Sequence, residues 1–183
     1  MAGDGFYDAG VLRQLATNLF YGCGYNFYRL ENQSRADDQL VRAKAASLLG
    51  EAVASVSEAE SAYRREFLPP PTRAKPFPDA LAIADAKLLE ELARGIGALE
   101  AALHSQPVPA NDRMSQRYRE EAPTLQKLLT QDERLVGQCA VMRSAVESRD
   151  PAAILRKLPD LKAGLEAIRA TLRDREALLL SPA

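Results

Sequence analysis

The most constraining feature of this sequence is a regular spacing of apolar residues in its second half. Apolar residues follow one another at steps of three and four at Leu89, Leu92, Ile96, Leu99 and Leu103. A helix places such positions on one face. The spacing returns at Met114, Tyr118, Leu125, Leu128, Leu135, Cys139, Met142 and Val146, and again at Leu158, Leu161, Leu165, Ile168, Leu172 and Leu179. These stripes predict helices packed nearly parallel or antiparallel around a shared core.

Composition favours the same fold class. Alanine occurs 31 times and leucine 26 times, whereas valine and isoleucine together occur 12 times. Alanine and leucine favour helices, and the β-branched residues that suit strands are scarce. We therefore predict an all-α protein, an elongated antiparallel helical bundle of about four to five helices with coiled-coil-like seams and a long N-terminal helix.

Proline residues mark the expected boundaries. Five prolines fall within ten residues at Pro69, Pro70, Pro71, Pro76 and Pro78, and a helix cannot cross them. We predict one helical domain over 1–183, with a long helical region at 8–67, a proline-rich linker at 68–78 and helices at about 79–105, 112–148 and 151–180. An unbroken helix over 8–67 would span roughly 90 Å, so it must hinge or protrude, and Gly22 and Gly24 are the expected hinge.

Two further boundary features follow from single residues. Asp150 followed by Pro151 predicts a helix start, an N-cap residue with proline at the first helical position. Pro123 is expected to kink the third of these helices or to split off its first turns. Asp132 interrupts the apolar stripe of that same helix.

Charge and residue inventory limit the classes of function. The formal net charge is −1, which disfavours binding to nucleic acid or to an anionic membrane by bulk charge. The N-terminus lacks the basic region of a secretory signal, and no apolar run is long enough to span a membrane. We therefore expect a cytoplasmic protein. The single histidine, His104, excludes a two-histidine metal site within one chain, and we expect neither a metal nor another cofactor.

Aromatic residues concentrate near the N-terminus. On a helix Tyr21, Tyr25, Tyr28, Asn32 and Arg35 share one stripe. Tyrosine and arginine combine contact area with hydrogen bonding, so this face suits a partner interface or a ligand pocket. The alternative is that the tyrosines pack inside the bundle with their hydroxyls in water.

A polar stretch follows the aromatic face. Asp37 and Asp38, if buried there, would need cationic partners, and Arg113 and Arg117 are the obvious candidates. The alternative is that both clusters are solvated helix faces.

Two functional hypotheses remain. The first is a non-enzymatic interaction protein, a homodimeric adaptor or scaffold that presents the aromatic face to a protein partner or to itself. The second is a bundle that binds a small molecule or an anion, conceivably an enzyme that uses tyrosine, aspartate and arginine side chains. We assign no catalytic residue.

Overall fold

The computed structural model describes residues 4–21, 34–73, 76–106 and 122–180, and every regular element in these ranges is helical. A 3-10 helix at Asp4–Phe6 precedes six α-helices in this described part of the chain. They are α1 (Ala9–Tyr21), α2 (Ser34–Phe67), α3 (Ala80–Ser105), α4 (Ala122–Val146), α5 (Pro151–Arg156) and α6 (Leu158–Leu180). The predicted all-α bundle is confirmed.

Helices α2 and α3 form an antiparallel pair joined by the proline-rich connection. At one end of the pair, Arg42 of α2 donates from Nη1 to the backbone carbonyl of Gln106, which follows α3, over 3.0 Å. At the other end, the Tyr63 hydroxyl donates to Asp85 over 3.0 Å. These two contacts fix the register of the pair over most of its length.

Helices α4 and α6 complete a four-helix bundle. Asp132, in the first half of α4, contacts Arg175 near the end of α6 at 2.6 Å. Lys157, directly before α6, donates to the backbone carbonyl of Ala145 near the end of α4 over 3.4 Å, so these helices are antiparallel. Arg143 of α4 meets Glu51 of α2 at 2.6 Å on the bundle surface. Arg149, which follows α4, contacts Glu58 of α2 at 2.7 Å. Helices α2 and α4 are therefore parallel and start at the same end of the bundle, where α3 and α6 finish.

The core combines the apolar stripes expected from the sequence on α3, α4 and α6 with a face of α2 that was not among the predicted stripes. That face comprises Val41, Ala45, Ala46, Leu48, Leu49, Ala52, Val56, Ala59 and Tyr63. The five stripe positions of α3 are at most 3% exposed. Most members of the other two stripes are also buried, namely Leu128, Leu135, Cys139, Met142 and Val146 on α4 and Leu158, Leu161, Leu165, Ile168 and Leu172 on α6. Residues Met114 and Tyr118, and the side chains of Leu125 and Leu179, lie outside the described parts of the chain.

Helix α1 packs on the outside of the bundle, mainly against α4. A β-carbon at Gly137 of α4 would lie 2.5 Å from the carbonyl oxygen of Leu12, and one at Gly164 of α6 would lie 2.6 Å from the ring of Phe6. Only glycine permits these two approaches. In the region 8–67 the structure describes two helices, α1 and α2. Residues 22–33 between them, which include the expected hinge at Gly22 and Gly24, lie outside the described residues.

The helix starts follow local chemistry. Asp150 caps α5 by accepting hydrogen bonds from the backbone N–H groups of Ala152 and Ala153, with Pro151 at the first helical position. The expected single helix at 151–180 is instead α5 and α6, which are separated at Lys157. Pro159 explains the break, because proline has no backbone N–H and cannot donate the helical hydrogen bond to the carbonyl one turn earlier.

Proline also starts α4. Pro123 stands in the first turn of that helix, where its missing donor costs nothing. The predicted kink or splitting off of the first turns at Pro123 stays a prediction, because it concerns residues before Ala122 that lie outside the described ranges. Residues 112–121, the beginning of the expected helix at 112–148, lie outside the described ranges.

Candidate functional site

The residues predicted as a site fall where the structure gives no side chains. Tyr25, Tyr28, Asn32, Arg113 and Arg117 lie outside the described residues, as do the side chains of Tyr21, Arg35, Asp37 and Asp38. The aromatic face and the proposed aspartate–arginine pairing therefore stay predictions. Four helix ends meet at one end of the bundle, namely the starts of α2 and α4 and the ends of α3 and α6. We call this the polar end.

A buried ion pair lies at the polar end. Arg175 of α6 donates from Nε to Oδ1 of Asp132 on α4 over 2.6 Å. The two side chains are 1% and 0% exposed. Removing two charges from water is unfavourable, and an apolar pair of similar volume is often equally stable there. Stability alone therefore does not account for this pair.

Gln106 links the ion pair to two other helices. Its Oε1 atom accepts a hydrogen bond from Nη1 of Arg175 over 3.3 Å. Its backbone carbonyl accepts from Arg42 of α2 over 3.0 Å, and Arg42 is itself buried. Residue Gln106 has extended backbone angles as the C-cap of α3. One residue at the end of α3 thus holds arginines from α2 and α6 together.

An open groove lies directly beside Gln106, between the last turns of α3 and α6. Its volume is about 340 Å³, near the lower end of the roughly 300–1,000 Å³ typical of ligand sites. The groove is lined by Ala98, Leu99, Ala102, Ser105, Gln106, Arg169, Leu172, Arg173 and Glu176. Apolar side chains from both helices form the floor, and polar side chains form the rim.

The rim carries more positive than negative charge. Arg169 and Arg173 contribute two guanidinium groups, and Glu176 contributes one carboxylate. Arg169 also contacts Glu166 on its own helix. Arg173 is exposed and forms no ion pair with another described residue. The groove can therefore present planar guanidinium donors to a carboxylate or a phosphate.

The ion pair and the groove were not predicted from the sequence, although one signal was present. Asp132 interrupts the apolar stripe of α4, and Arg175 occupies the stripe position between Leu172 and Leu179 on α6. A negative charge in one stripe and a positive charge in another suggest that the two charges face each other in the core. The rim residues carry no such signal, because exposed arginines on helices are common.

Other chemistries find less support in the described part of the chain. It contains no group of three or more His, Cys, Asp or Glu side chains that could hold a metal ion. Burial raises the pKa of the Cys139 thiol, which disfavours the thiolate that a nucleophile needs. Burial and a hydrogen bond to Asp85 raise the pKa of Tyr63 in the same way.

Comparisons with known proteins supply no analogy. No protein-family model matches the chain, and neither the curated proteins nor the solved structures contain a match. The helices that the structure describes include none that is both long and apolar enough to cross a membrane.

Proposed function

We propose that this protein binds a small organic acid in the groove at the polar end, with a carboxylate held at the arginine rim and a short apolar body on the groove floor. The observation that carries this proposal is the groove of about 340 Å³ between α3 and α6. The proposal involves no reaction step and no cofactor. We further propose a cytoplasmic location and a role without nucleic acid or membrane partners, for which the net charge of −1 is the support.

The rim supports an anionic ligand. Two guanidinium groups, Arg169 and Arg173, and one carboxylate, Glu176, lie along the same face of α6 at the groove. Guanidinium forms paired hydrogen bonds with a carboxylate. Arg173 has no competing ion pair among the described residues, so we assign it as the residue that binds the carboxylate of the ligand.

The floor supports an aliphatic body. Leu99 and Leu172 are largely buried beneath the groove, and the small side chains of Ala98 and Ala102 leave the space open. Each buried methylene contributes about 0.8 kcal/mol. A short alkyl chain therefore gains affinity that an inorganic anion lacks.

The buried ion pair gives the rim a rigid support. Arg175 and Asp132 fix Gln106 from inside the bundle, and Gln106 lines the groove. A site held by a buried hydrogen-bonded layer loses less entropy when a ligand binds.

Calorimetric titration with hexanoate, acetate, hexanol and inorganic phosphate tests this function. We expect hexanoate to bind more tightly than each of the others, because it alone has both the charge and the alkyl body. Equal binding of phosphate and hexanoate would show simple anion attraction and contradict the proposal. No heat from hexanoate at millimolar concentration would also contradict it.

Matched variants locate the site. Arg173→Ala should weaken hexanoate binding at least about fivefold, and Ala102→Leu should abolish it by filling the groove. Arg156→Ala removes an exposed arginine from α5, near the opposite end of the bundle, and should leave binding unchanged. Equal losses in Arg173→Ala and Arg156→Ala would overturn the assignment.

The second candidate function is the interaction protein favoured by the sequence, a homodimeric adaptor with coiled-coil-like contacts. Three apolar side chains are exposed around the α2–α3 connection, Phe77 at 86%, Leu81 at 76% and Phe67 at 49%. We propose a second copy of the chain as the occupant. Glu66 and Arg73 are both exposed there, so two copies related by a twofold axis can pair opposite charges.

Sedimentation equilibrium tests the dimer. The double variant Phe77→Ser/Leu81→Lys should be monomeric at concentrations where the wild type is dimeric. Val11→Ser, which removes an exposed apolar side chain from α1, should remain dimeric. A wild-type chain that is monomeric up to millimolar concentration would rule out self-association at this surface.

A further inference from the structure

Helices α3 and α6 run in the same direction on either side of the groove, and two contacts fix their register. A β-carbon at Gly95 of α3 would lie 3.0 Å from Cδ1 of Leu165 on α6. Nearer the polar end, Oε1 of Gln106 accepts a hydrogen bond from Nη1 of Arg175 over 3.3 Å. Residues that are about 70 positions apart in the sequence therefore lie at the same level of the two helices.

This register orders the charged side chains along the groove. Arg169 and Arg173 lie toward the middle of the bundle, and Glu176 lies closer to the polar end, at the level of Ser105 and Gln106. The rise along α6 from Arg173 to Glu176 is about 4.5 Å. The groove therefore has a cationic part and an anionic part that are a short distance from each other.

The charges of Arg173 and Glu176 are not used within the described part of the chain. Glu176 is half-buried, and its carboxylate forms no ion pair with another described residue. The same is true of the Arg173 guanidinium. Oppositely charged side chains three positions apart on a helix often pair, yet these two are not in contact in the structure. Both groups are therefore available to a ligand that carries a negative and a positive charge.

Ser105 adds an acceptor to the anionic part of the groove. Its hydroxyl donates to the backbone carbonyl of Ala102 over 3.0 Å. Because its hydrogen is used in this bond, the Ser105 oxygen can only accept from a ligand. Helix α3 ends at Ser105, and the partial negative charge of a helix C-terminus favours a cation. A carboxylate, a hydroxyl oxygen and a helix end thus favour a positively charged group at the same place.

We propose that the ligand of the groove is an α-amino acid with an aliphatic side chain. Its carboxylate binds to Arg173, its ammonium group binds to Glu176 and to the Ser105 oxygen, and its side chain lies on the floor formed by Leu99 and Leu172. A single carbon atom joins the two charged groups of such a ligand, which suits binding groups about 4.5 Å apart along one helix. This inference deepens the proposed function and rests on it.

Calorimetric titration with ligands of related carbon skeleton tests the inference. Norleucine is hexanoate with an added α-amino group, and pentylamine is norleucine without its carboxylate. N-acetylnorleucine lacks the ammonium charge, and 6-aminohexanoate carries its ammonium group at the far end of the chain. We expect norleucine to bind about fivefold more tightly than hexanoate and than each of the other three, because it alone places both charges correctly.

A charge-removing variant locates the ammonium group. Glu176→Gln keeps the size of the side chain, and it should weaken norleucine binding about fivefold, to the affinity of hexanoate. It should not weaken the binding of hexanoate. Asp174→Asn is the matched control, because it removes an exposed carboxylate of α6 that does not line the groove, and norleucine binding should stay unchanged. Equal losses in the two variants would show a general effect of charge and overturn the inference.

The results for hexanoate and norleucine separate this inference from the proposed function. Binding of hexanoate that is at least as tight as that of norleucine would overturn the amino acid and leave the organic-acid site in place. No binding of either ligand at millimolar concentration would overturn both. Tighter binding of norleucine that persists in Glu176→Gln would overturn the assignment of the ammonium group to Glu176, and N-acetylnorleucine that binds as tightly as norleucine would do so without any variant.

Discussion

The guanidinium of Arg175 on α6 contacts the carboxylate of Asp132 on α4 at 2.6 Å, with both side chains almost completely buried. Each of these residues occupies a position where its helix otherwise carries an apolar stripe. The pair therefore takes the place of a core contact between α4 and α6. Each member compensates the charge of the other, so a substitution of one should affect the other.

Arg175→Met should destabilise the protein by about 3–5 kcal/mol, because it leaves the Asp132 carboxylate buried without this counter-charge. The double variant Asp132→Leu/Arg175→Met should recover most of that loss. Urea unfolding of the wild type, both single variants and the double variant gives the coupling energy directly. A double variant that is as unstable as the sum of the single variants would mean that the charges do not compensate each other.

Gly164→Ala should destabilise the protein by about 1–3 kcal/mol through overpacking. Its new β-carbon would lie 2.6 Å from Cζ of Phe6, which is itself buried. Phe6→Leu in the same background should restore part of the stability, because the smaller side chain leaves room for the methyl group. Thermal unfolding of the three variants measures the effect, and a fully stable Gly164→Ala would show that the ring moves freely.

Glu133→Gln should make the protein more stable at pH 7. Burial raises the pKa of Glu133 in the folded state, so the fold favours the neutral carboxyl. The stability from this group is present below its unfolded pKa of about 4.3 and is lost as pH rises through the higher folded pKa.

The thermal midpoint of Glu133→Gln should therefore exceed that of the wild type increasingly between pH 4 and pH 7. Glu147→Gln, at a side chain 63% exposed, serves as the control and should show almost no difference. A variant that is less stable than the wild type at pH 7 would mean that the contact with Arg13 outweighs burial.

Asp150→Ala should cost about 1 kcal/mol of stability, because two backbone N–H groups of α5 lose their acceptor. Asp150→Asn keeps one acceptor oxygen and should cost less. Chemical denaturation of both variants measures the difference. Equal stability of the alanine variant and the wild type would show that the cap is not needed once α5 is packed.

The helices and their buried faces were predictable because they depend on local spacing. The stripe from Leu89 to Leu103 is buried as predicted, and Asp150 with Pro151 starts a helix as predicted. The break at Lys157 was missed. Pro159 was visible in the sequence, but whether a proline ends a helix or only begins the next one depends on the packing of both parts.

The candidate site was not predictable in the same way. The aromatic and polar residues singled out between Tyr21 and Asp38 still await a test, since the structure leaves their side chains undescribed. The groove is made by residues of α3 and α6 that lie about 70 positions apart, such as Ala102 and Arg173. Nothing in the local sequence of either helix indicates that they meet.

The sequence alone determined that this protein is a bundle of helices, because a helix repeats every 3.6 residues and its apolar positions must share a face. Only the tertiary structure decided which charges became partners. Asp132 and Arg175 both interrupt apolar stripes, and either could have faced solvent after a small helix rotation. Packing of α4 against α6 fixed that rotation, and the same packing left the groove open beside Gln106.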